Sequence, residues 1–225
     1  MTLRTWLTTL TVLAGSLALT GVACSQVPPT PPAVQAPAAP GAPGAAEAKP
    51  VDLVVEDQFA RRQDLAAHRG DVVVLVYGDR KGMDSCKELG AKLHVAFHPT
   101  AADQTPEKAR KAPVVALEGV AAGARSPDAL ILPVAAAGNI PGVVKDLIRS
   151  QVKKASPEVP VWLDFTGVME KQFGLRAGEP NIVVFDGVGR LRLKVNGAPD
   201  QATTDKLLQT IQNLRAEAAG LGKAP

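Results

Sequence analysis

Cysteine is the residue type in this chain with the clearest capacity for covalent chemistry, and the chain has two, Cys24 and Cys86. Cys86 belongs to the stretch YGDRKGMDSCKELG (77–90), which follows an apolar run typical of a strand and begins a helical pattern. A cysteine at a helix N-terminus can act as a nucleophilic thiolate, because the helix dipole and the free backbone amides lower its pKa. Cys24 lies in a region of different composition, so the sequence predicts neither a disulfide framework nor a thiolate zinc site.

Two histidines could in principle add a metal site. His94 and His98 stand four residues apart near the end of a predicted helix and could share one face with a metal ion. No carboxylate on a second strand obviously converges on them, so we expect surface placement or helix capping. The sequence therefore predicts no metal site and no cofactor.

The elements around Cys86 are well marked. The run DVVVLVYG (71–78) is continuously apolar and β-branched, which predicts a central strand covered on both faces. Residues 81–97 then predict a helix with one apolar face, formed by Met83, Cys86, Leu89 or Gly90, Leu93 and Phe97. On that face we expect Cys86 to be buried as a small apolar residue. A redox or mixed-disulfide role is the alternative.

The remaining pattern indicates one folded domain over residues 51–219. Strands are predicted in VDLVVED, ALILPVAA, VPVWLDF, NIVVFD and RLRLKVNG, the last two as a hairpin. Helices are predicted in IPGVVKDLIRSQVKKA, in GVMEKQFGL, and in a closing helix that begins at Thr203 or Thr204 and ends near Gly220. Residues 99–127 form an irregular insertion. Strands alternating with helices predict an α/β fold, a mixed β-sheet flanked by helices on both faces.

The helix within IPGVVKDLIRSQVKKA has two distinct faces. The apolar face consists of Val143, Val144, Leu147, Ile148 and Val152, and the basic face consists of Lys145, Arg149 and Lys153. An apolar stripe of this spacing normally packs on the core. We therefore expect the basic face to be solvated, with a docking patch as the alternative.

The first 23 residues have the features of an export signal. Arg4 provides a positive charge, and the apolar run 6–19 is too short to span a membrane comfortably. The ending TGVAC resembles the signal of bacterial lipoproteins, in which a cysteine after small residues receives a lipid and becomes the first mature residue. The resemblance implies a lipidated Cys24 that attaches the protein to a membrane of the cell envelope, facing the periplasm. Ordinary cleavage nearby is the alternative.

After Cys24, residues 25–50 predict a tether. They contain eight of the 19 prolines and no large aromatic residue, so they cannot bury enough apolar surface to offset the entropy of ordering. We expect a disordered segment that reaches roughly 80 Å at full extension. Ser25, directly after the cysteine, implies the outer membrane if the cell is Gram-negative. Residues 220–225 form a short tail after the domain.

The charge distribution excludes one class of partner. The chain of 225 residues has a net charge of +3, and its basic residues form no long block. Nucleic-acid binding needs a concentrated basic surface. The sequence therefore predicts no nucleic-acid partner.

A resemblance to the redoxin branch of the thioredoxin-like proteins is carried by two segments, 57–78 and 159–197. That branch includes membrane-tethered thiol-disulfide reductases and alkyl hydroperoxide reductases. The matching residues are Asp57, Gln58, Phe59, Leu163, Asp164, Gly167, Phe173, Gly174, Pro180, Asp186 and Gly189. The similarity extends over nearly all of residues 52–215 and implies a thioredoxin-like fold.

The resemblance fails at the residues that would do the chemistry. The family's dithiol motif, aligned without gaps, places Gly82 and Ser85 on the two cysteine positions. An alignment shifted by one residue places Met83 and Cys86 there, which still leaves the attacking thiol absent. The proline, threonine and cysteine spacing of peroxiredoxins is also missing before Cys86. The family's mechanism therefore lacks its nucleophile in this chain.

Pro180 is the other position to which the resemblance assigns a role. In relatives, the matching proline follows a cis peptide bond and lies beside the active-site helix, where its loop receives an extended substrate backbone. The resemblance implies a cis Glu179–Pro180 bond, with a trans bond that simply begins a strand as the alternative. Asp79, Arg80 and Lys81 could form a polar recognition rim nearby, although solvated loop charges are the default.

Three functions remain open at this point. The favoured function is a non-catalytic module that binds a peptide or protein of the cell envelope in a groove at Pro180, Gly82 and Ser85. The alternative is a thiol-disulfide oxidoreductase or thiol peroxidase that uses Cys86 as its single catalytic cysteine. The third is a spacer without a ligand site, in which the insertion 99–127 covers the groove. The exposure of Cys86 and the pKa of its thiol distinguish the first two functions.

Overall fold

The computed structural model describes residues 34–35, 49–121 and 123–222. The strands are β1 (Val34–Gln35), β2 (Val54–Asp57), β3 (Arg62–Asp64), β4 (Val72–Gly78), β5 (Ala129–Ala136), β6 (Trp162–Asp164), β7 (Asn181–Phe185) and β8 (Leu191–Asn196). The helices are α1 (Met83–Phe97), α2 (Pro106–Ala109), α3 (Gly142–Ala155), α4 (Val168–Phe173) and α5 (Gln201–Ala218), with 3-10 turns at Leu65–His68 and Pro99–Ala101. No helix in this described part is long and apolar enough to cross a membrane.

The predicted export signal, Cys24 and most of the predicted tether lie outside the described residues. Within the tether, Val34 and Gln35 pair antiparallel with Val195 and Lys194 of β8, where the sequence predicted a disordered chain. β8 otherwise forms an edge of the sheet, and its outward backbone groups can pair with any extended segment. This difference concerns only these two residues.

All eight strands form one mixed sheet in the order β1-β8-β7-β4-β5-β6-β2-β3. The strands β4, β5 and β6 run parallel, β7 is antiparallel to β4, and β8 is antiparallel to β7. On the other side, β2 is antiparallel to both β6 and β3. Every residue of β4 is buried, as the continuous apolar run predicts.

Helices cover both faces of the sheet. On one face, α1 and α5 pack on β4 and β7 through residues such as Leu93 and Ile211. On the other face, α4 and the first 3-10 turn contribute Met169 and Leu65. This topology confirms the predicted fold class, a thioredoxin-like mixed β-sheet with helices on both faces.

Asp57 and Gln58 of the first matched segment fix local structure. The Asp57 carboxylate accepts hydrogen bonds from the backbone amides of Phe59 and Arg61 at 2.8 and 2.9 Å, which turns the chain from β2 toward β3. The Gln58 side-chain oxygen accepts the backbone N–H of Val161 at 2.7 Å and so joins this turn to β6. Both side chains are buried, where polar groups require such partners.

Two carboxylates of the second matched segment have the same kind of role. Asp164 accepts the backbone N–H of Met169 at 2.9 Å, which supports the start of α4 because its cap residue, Gly167, has no side chain. Asp186 accepts the backbone N–H of Arg190 at 2.8 Å and closes the turn between β7 and β8. The polar residues that carry the family resemblance therefore stabilise the frame of the domain.

Two element boundaries differ from the prediction. β3 lies outside the predicted strands, since its residues are polar and do not alternate; it forms because it pairs with β2. The closing helix α5 begins after Asp200, whose carboxylate accepts the backbone N–H of Thr203 at 2.7 Å. Aspartate, one turn earlier than the predicted threonine, is therefore the N-cap.

The apolar face of α3 only partly packs on the domain. Ile148 and Val152 contact the core, as predicted. Val143 is 87% exposed, and Val144 and Leu147 are also exposed, so the prediction that this face packs as one stripe is wrong.

Contacts of the basic face of α3 hold the helix in the orientation that leaves Val143, Val144 and Leu147 exposed. Lys145 and Arg149 lie over the Phe165 ring, at 5.4 and 5.2 Å from its centroid, and Arg149 also pairs with Glu56. The Arg149 side chain is only 19% exposed. A cation over an aromatic ring is stabilised by the ring electrons. The contacts with Phe165 and Glu56, which are distant in sequence, therefore turn the basic face of α3 toward the domain. The expected solvation of the basic face is therefore wrong for Arg149.

Hydrogen bonds attach the insertion 99–127 beside the C-terminal end of α1. Arg215 of α5 is fully buried, and its guanidinium donates to the carbonyls of Pro127 and Val115 at 2.9 and 2.6 Å. The backbone N–H of Val115 also donates to the carbonyl of Phe97, the last residue of α1, at 2.9 Å. These bonds place residues 99–127 beside the end of α1 that lies farthest from Gly82.

His94 and His98 also lie at this contact between the end of α1 and the insertion. His98 is 3% exposed, so expected surface placement is wrong for this residue, whose backbone instead caps α1. Its ring nitrogens lie 3.1 Å from the His94 carbonyl and 2.9 Å from an Asp128 oxygen. The Nε2 atom of His94 lies 3.0 Å from the Ala109 carbonyl. Within the described residues, no group of three or more His, Cys, Asp or Glu side chains could hold a metal ion.

Removal of the buried guanidinium tests this attachment. We expect Arg215→Met to lower the free energy of unfolding by about 2–4 kcal/mol, because the buried Pro127 carbonyl and the partly buried Val115 carbonyl lose their donor. Urea denaturation measures the effect, and Lys206→Met, at an exposed position of the same helix, is the matched control. Equal stability of the two variants would contradict the role assigned to Arg215.

Candidate functional site

The junction between β4 and α1 is the place where the family would carry its thiols. β4 ends at Gly78, and α1 begins at Met83. Between them, the Asp79 carboxylate accepts the backbone N–H groups of Lys81 and Gly82 at 2.9 and 3.1 Å. Asp79 therefore fixes the turn that leads into α1, whose N-cap residue, Gly82, has no side chain to cap the helix.

Asp79 brings a fixed negative charge to this junction. Partial burial opposes its ionisation, but hydrogen bonds from the amides of Gly82, Gly178 and Lys81, together with the Lys81 charge, outweigh burial and lower the Asp79 pKa. In a thiol oxidoreductase, the positive end of a helix stabilises a thiolate. Here the Asp79 carboxylate adds a negative charge beside that end, which disfavours a second anion.

Gly82 packs closely against the loop before β7. A Cβ atom at this position would lie 3.1 Å from the carbonyl carbon of Glu179 and 3.4 Å from the nitrogen of Pro180. The first of these contacts is tight, so a cysteine here would require the two backbone segments to separate by a few tenths of an ångström. Glycine therefore fits this first thiol position of the family better than cysteine does.

The loop before β7 is held by Asn181, which is fully buried. Its side-chain nitrogen donates to the carbonyls of Arg176 and Glu179 at 2.8 and 2.9 Å, and its oxygen accepts the Arg176 N–H at 2.9 Å. The Glu179–Pro180 bond is trans, so the predicted cis bond is wrong. Here the Asn181 hydrogen bonds, rather than cis geometry, fix the path of the loop.

A groove with a volume of about 350 Å³ runs between α1 and α5. Leu89, Leu93 and Leu208 provide apolar lining, and Pro180 and Pro199 line it from the loops outside the two helices. The groove lies one turn beyond the tight contact at Gly82. The α1 pattern alone could not reveal the half of the lining that α5 contributes.

Polar side chains also line the groove, among them Ser85, Gln201 and Thr204. Glu88 and Lys92, which line it as well, form an ion pair of 2.7 Å with each other. These two charges are opposite, so the groove has hydrogen-bonding groups but no net charge. None of the described residues of the insertion 99–127 lines it.

Cys86 faces away from this groove into the core. The residue is 6% exposed, and its sulfur packs against the backbone of Gly78. Burial and the negative charge of Asp79 raise the pKa of the Cys86 thiol to about 11, although a hydrogen bond from the Asn181 backbone opposes the rise. Such a thiol is protonated at neutral pH and is a poor nucleophile.

The structure therefore brings together the three groove residues predicted from the sequence, in two different roles. Ser85 and Pro180 line the groove, whereas Gly82 closes the junction beside it. Arg80 and Lys81 are exposed, but the Asp79 carboxylate is used inside the junction instead of in a recognition rim. Sequence reasoning missed Asn181 and the contribution of α5, since neither adjoins α1 in the sequence.

The contact between Cys86 and Gly78 predicts a specific coupling. A methyl group at position 78 would overlap the Cys86 sulfur, so we expect Gly78→Ala to lower the free energy of unfolding by about 1–3 kcal/mol. In a Cys86→Ala background, the same substitution should cost at least about 1 kcal/mol less. Chemical denaturation of the four proteins measures both costs. Equal costs in the two backgrounds would rule out the sulfur as the obstacle.

The buried thiol also predicts low reactivity. With a pKa of about 11, about one Cys86 thiol in ten thousand is ionised at pH 7. In a Cys24→Ser variant, we therefore expect a chromogenic disulfide reagent to label the native protein far more slowly than the urea-unfolded protein. Rapid stoichiometric labelling of the native protein would instead support an exposed, reactive Cys86.

Comparisons with known proteins return structural neighbours but no family. No family model and no curated protein matches the chain. The exposed lipoprotein thioredoxin Etrx1 of Streptococcus pneumoniae has 16% identity and a TM-score of 0.45, over 71% of this chain and 99% of that one. A secreted thiol-disulfide isomerase of Corynebacterium glutamicum has 14% identity and a TM-score of 0.45, over 74% and 85%. A DsbF homologue of Corynebacterium diphtheriae has 15% identity and a TM-score of 0.43, over 73% of this chain and 88% of that one. Similarity this low transfers no activity to the chain.

Proposed function

We propose that this protein is a non-catalytic binding module of the cell envelope that holds a peptide or an extended protein segment in the groove between α1 and α5. One observation carries the proposal: the groove beside Pro180 is open, whereas position 82 is a glycine packed tightly against the Glu179 backbone and the Cys86 sulfur is buried. The fold thus has a concave surface beside α1 without an accessible thiol on it.

The chemistry of the groove favours a polypeptide ligand. Leucine and proline side chains give an apolar lining, on which the apolar side chains of a ligand can be buried. Ser85, Thr204 and Gln201 offer hydroxyl and amide groups that can pair with a peptide backbone. The paired charges of Glu88 and Lys92 favour an uncharged ligand over a strongly acidic or basic one.

The rival function is a thiol-disulfide oxidoreductase or thiol peroxidase that uses Cys86. Burial of the sulfur, its raised pKa and the carboxylate of Asp79 all oppose thiolate formation. A spacer without a ligand site is opposed by the position of the insertion, because its described residues lie at the other end of α1. The binding module is therefore the function that the geometry supports best.

The proposed location rests on the sequence. The export signal and a lipid on Cys24 would attach the protein to a membrane and leave the domain on the periplasmic side, with the outer membrane favoured in a Gram-negative cell. Metabolic labelling with a radioactive fatty acid tests the attachment. Incorporation that persists in Cys24→Ser, or is absent from the wild type, would contradict it.

A substitution that fills the groove tests the binding function. The probe is a mixture of short peptides of Ala, Leu, Val, Ser and Thr, blocked at both ends and fluorescein-labelled, and the protein is the full chain with Cys24→Ser. We expect Ser85→Trp to weaken binding at least about tenfold, because the indole occupies the groove. Fluorescence anisotropy measures the affinity.

The matched control is Lys87→Trp, since Lys87 is exposed on α1 but does not line the groove. It should leave the affinity unchanged within about twofold. Failure of the wild type to bind any peptide of the mixture, or equal losses in both tryptophan variants, would contradict the proposed groove.

A further inference from the structure

We propose that Asp79 is a positioning residue that sets the shape of the groove by joining the start of α1 to the loop before Pro180. The proposal rests on the proposed binding function, because it assigns to Asp79 the geometry that a ligand requires. It concerns a residue outside the groove lining, so the role is indirect.

The contacts of Asp79 cross between two segments that are remote in sequence. One carboxylate oxygen accepts the N–H groups of Lys81 and Gly82, and the other accepts the N–H of Gly178 at 2.8 Å. Among the described residues, the bond to Gly178 is the one side-chain hydrogen bond between the segments 78–82 and 174–180. One side chain therefore fixes the spacing of both segments.

Packing does not replace this bond at Gly178. The residue has a φ of +81°, a conformation that favours glycine, and a Cβ atom built there would meet no other atom within 4 Å. The side of Gly178 where a Cβ would stand is therefore open. The Asp79 bond acts together with the Gly82 packing and the Asn181 hydrogen bonds at Glu179, and its loss would loosen the loop from Gly178 toward Pro180.

The groove responds to this spacing at one end, where its lining residue Pro180 belongs to the bridged loop and its lining residue Ser85 belongs to α1. Ser85 lies on the first turn of α1, and Pro180 lies two residues after Gly178 in the loop before β7. If the loop moves relative to α1, the distance between these two lining residues changes. A ligand that touches both would then meet a groove of a different width.

The bridge requires an ionised carboxylate, since all three of its partners donate hydrogen bonds. The charged and titratable groups around Asp79 are Lys81 and Cys86, Tyr77 of β4, and the Arg176–Glu179 pair on the opposite loop. The hydrogen bonds lower the Asp79 pKa below the ordinary value of an aspartate. The bridge is therefore complete above this value and is lost as the pH falls through the lowered pKa.

The experiment compares Asp79→Asn with Asp84→Asn in the full chain with Cys24→Ser. Asp84 is also in the first turn of α1, but its side chain is 99% exposed, so this control removes the same charge without a bridge. Amide hydrogen exchange of the ligand-free protein reports the Gly178 N–H directly. We expect its protection to fall at least about tenfold in Asp79→Asn and to stay constant in Asp84→Asn.

A second readout separates positioning from general stability. The affinity for the uncharged peptide mixture should fall at least about fivefold in Asp79→Asn, while the urea midpoint stays close to that of Asp84→Asn. If Asp79→Asn fails to fold, the Gly178 amide resonance of the Cys24→Ser protein, followed from about pH 6 to pH 2, should shift with an inflection below 3.8. The Asp84→Asn variant should show the same inflection.

The outcomes distinguish the two proposals. Unchanged Gly178 protection, or a resonance without that inflection, would overturn the bridge. Lost protection with unchanged peptide affinity would overturn the positioning role and leave the groove function standing. If the wild type binds no peptide, the proposed function fails and the positioning role fails with it, whereas lost Gly178 protection would still support the bridge.

Discussion

The start of α1 is held against the loop before β7, and this contact sets the geometry of the junction beside the groove. β4 and β7 are paired in the buried centre of the sheet, with Tyr77 opposite Asn181, so the segments that adjoin this pair lie side by side. Gly82 lies against the Glu179–Pro180 peptide, and Asp79 bonds to both segments. The junction is closed at the start of α1, and the groove opens one turn further along the helix.

Much of the frame could be predicted because its signals are local. The apolar run of β4, the helical spacing of α1 and the hairpin of β7 and β8 are each specified by neighbouring residues. The family resemblance also drew attention to Asp57 and Asp164. The structure explains why such residues are informative about the fold. Each buried carboxylate binds backbone amides at a turn, so it specifies the fold whether or not the protein keeps any chemistry.

The parts that sequence reasoning missed depend on partners distant along the chain. Arg149 turns α3 inward because Phe165 and Glu56 lie beneath it, which no helical periodicity reveals. Asp79 looked like a loop charge available for recognition, and its actual partner Gly178 is 99 positions away. The groove itself combines α1 with α5, so the α1 pattern could suggest its position beside Pro180 but not its lining.

Under the proposed function, the backbone at this junction disfavours thiol chemistry in addition to the absence of cysteine at positions 82 and 85. A catalytic cysteine needs space for its side chain and surroundings that stabilise its thiolate. At position 82 a Cβ atom would lie only 3.1 Å from the Glu179 carbonyl carbon, and the nearby Asp79 carboxylate brings a negative charge that disfavours a thiolate. Cys86, one turn on, is directed into the core against Gly78. A cysteine introduced at position 82 would therefore meet both a tight backbone contact and an unfavourable charge.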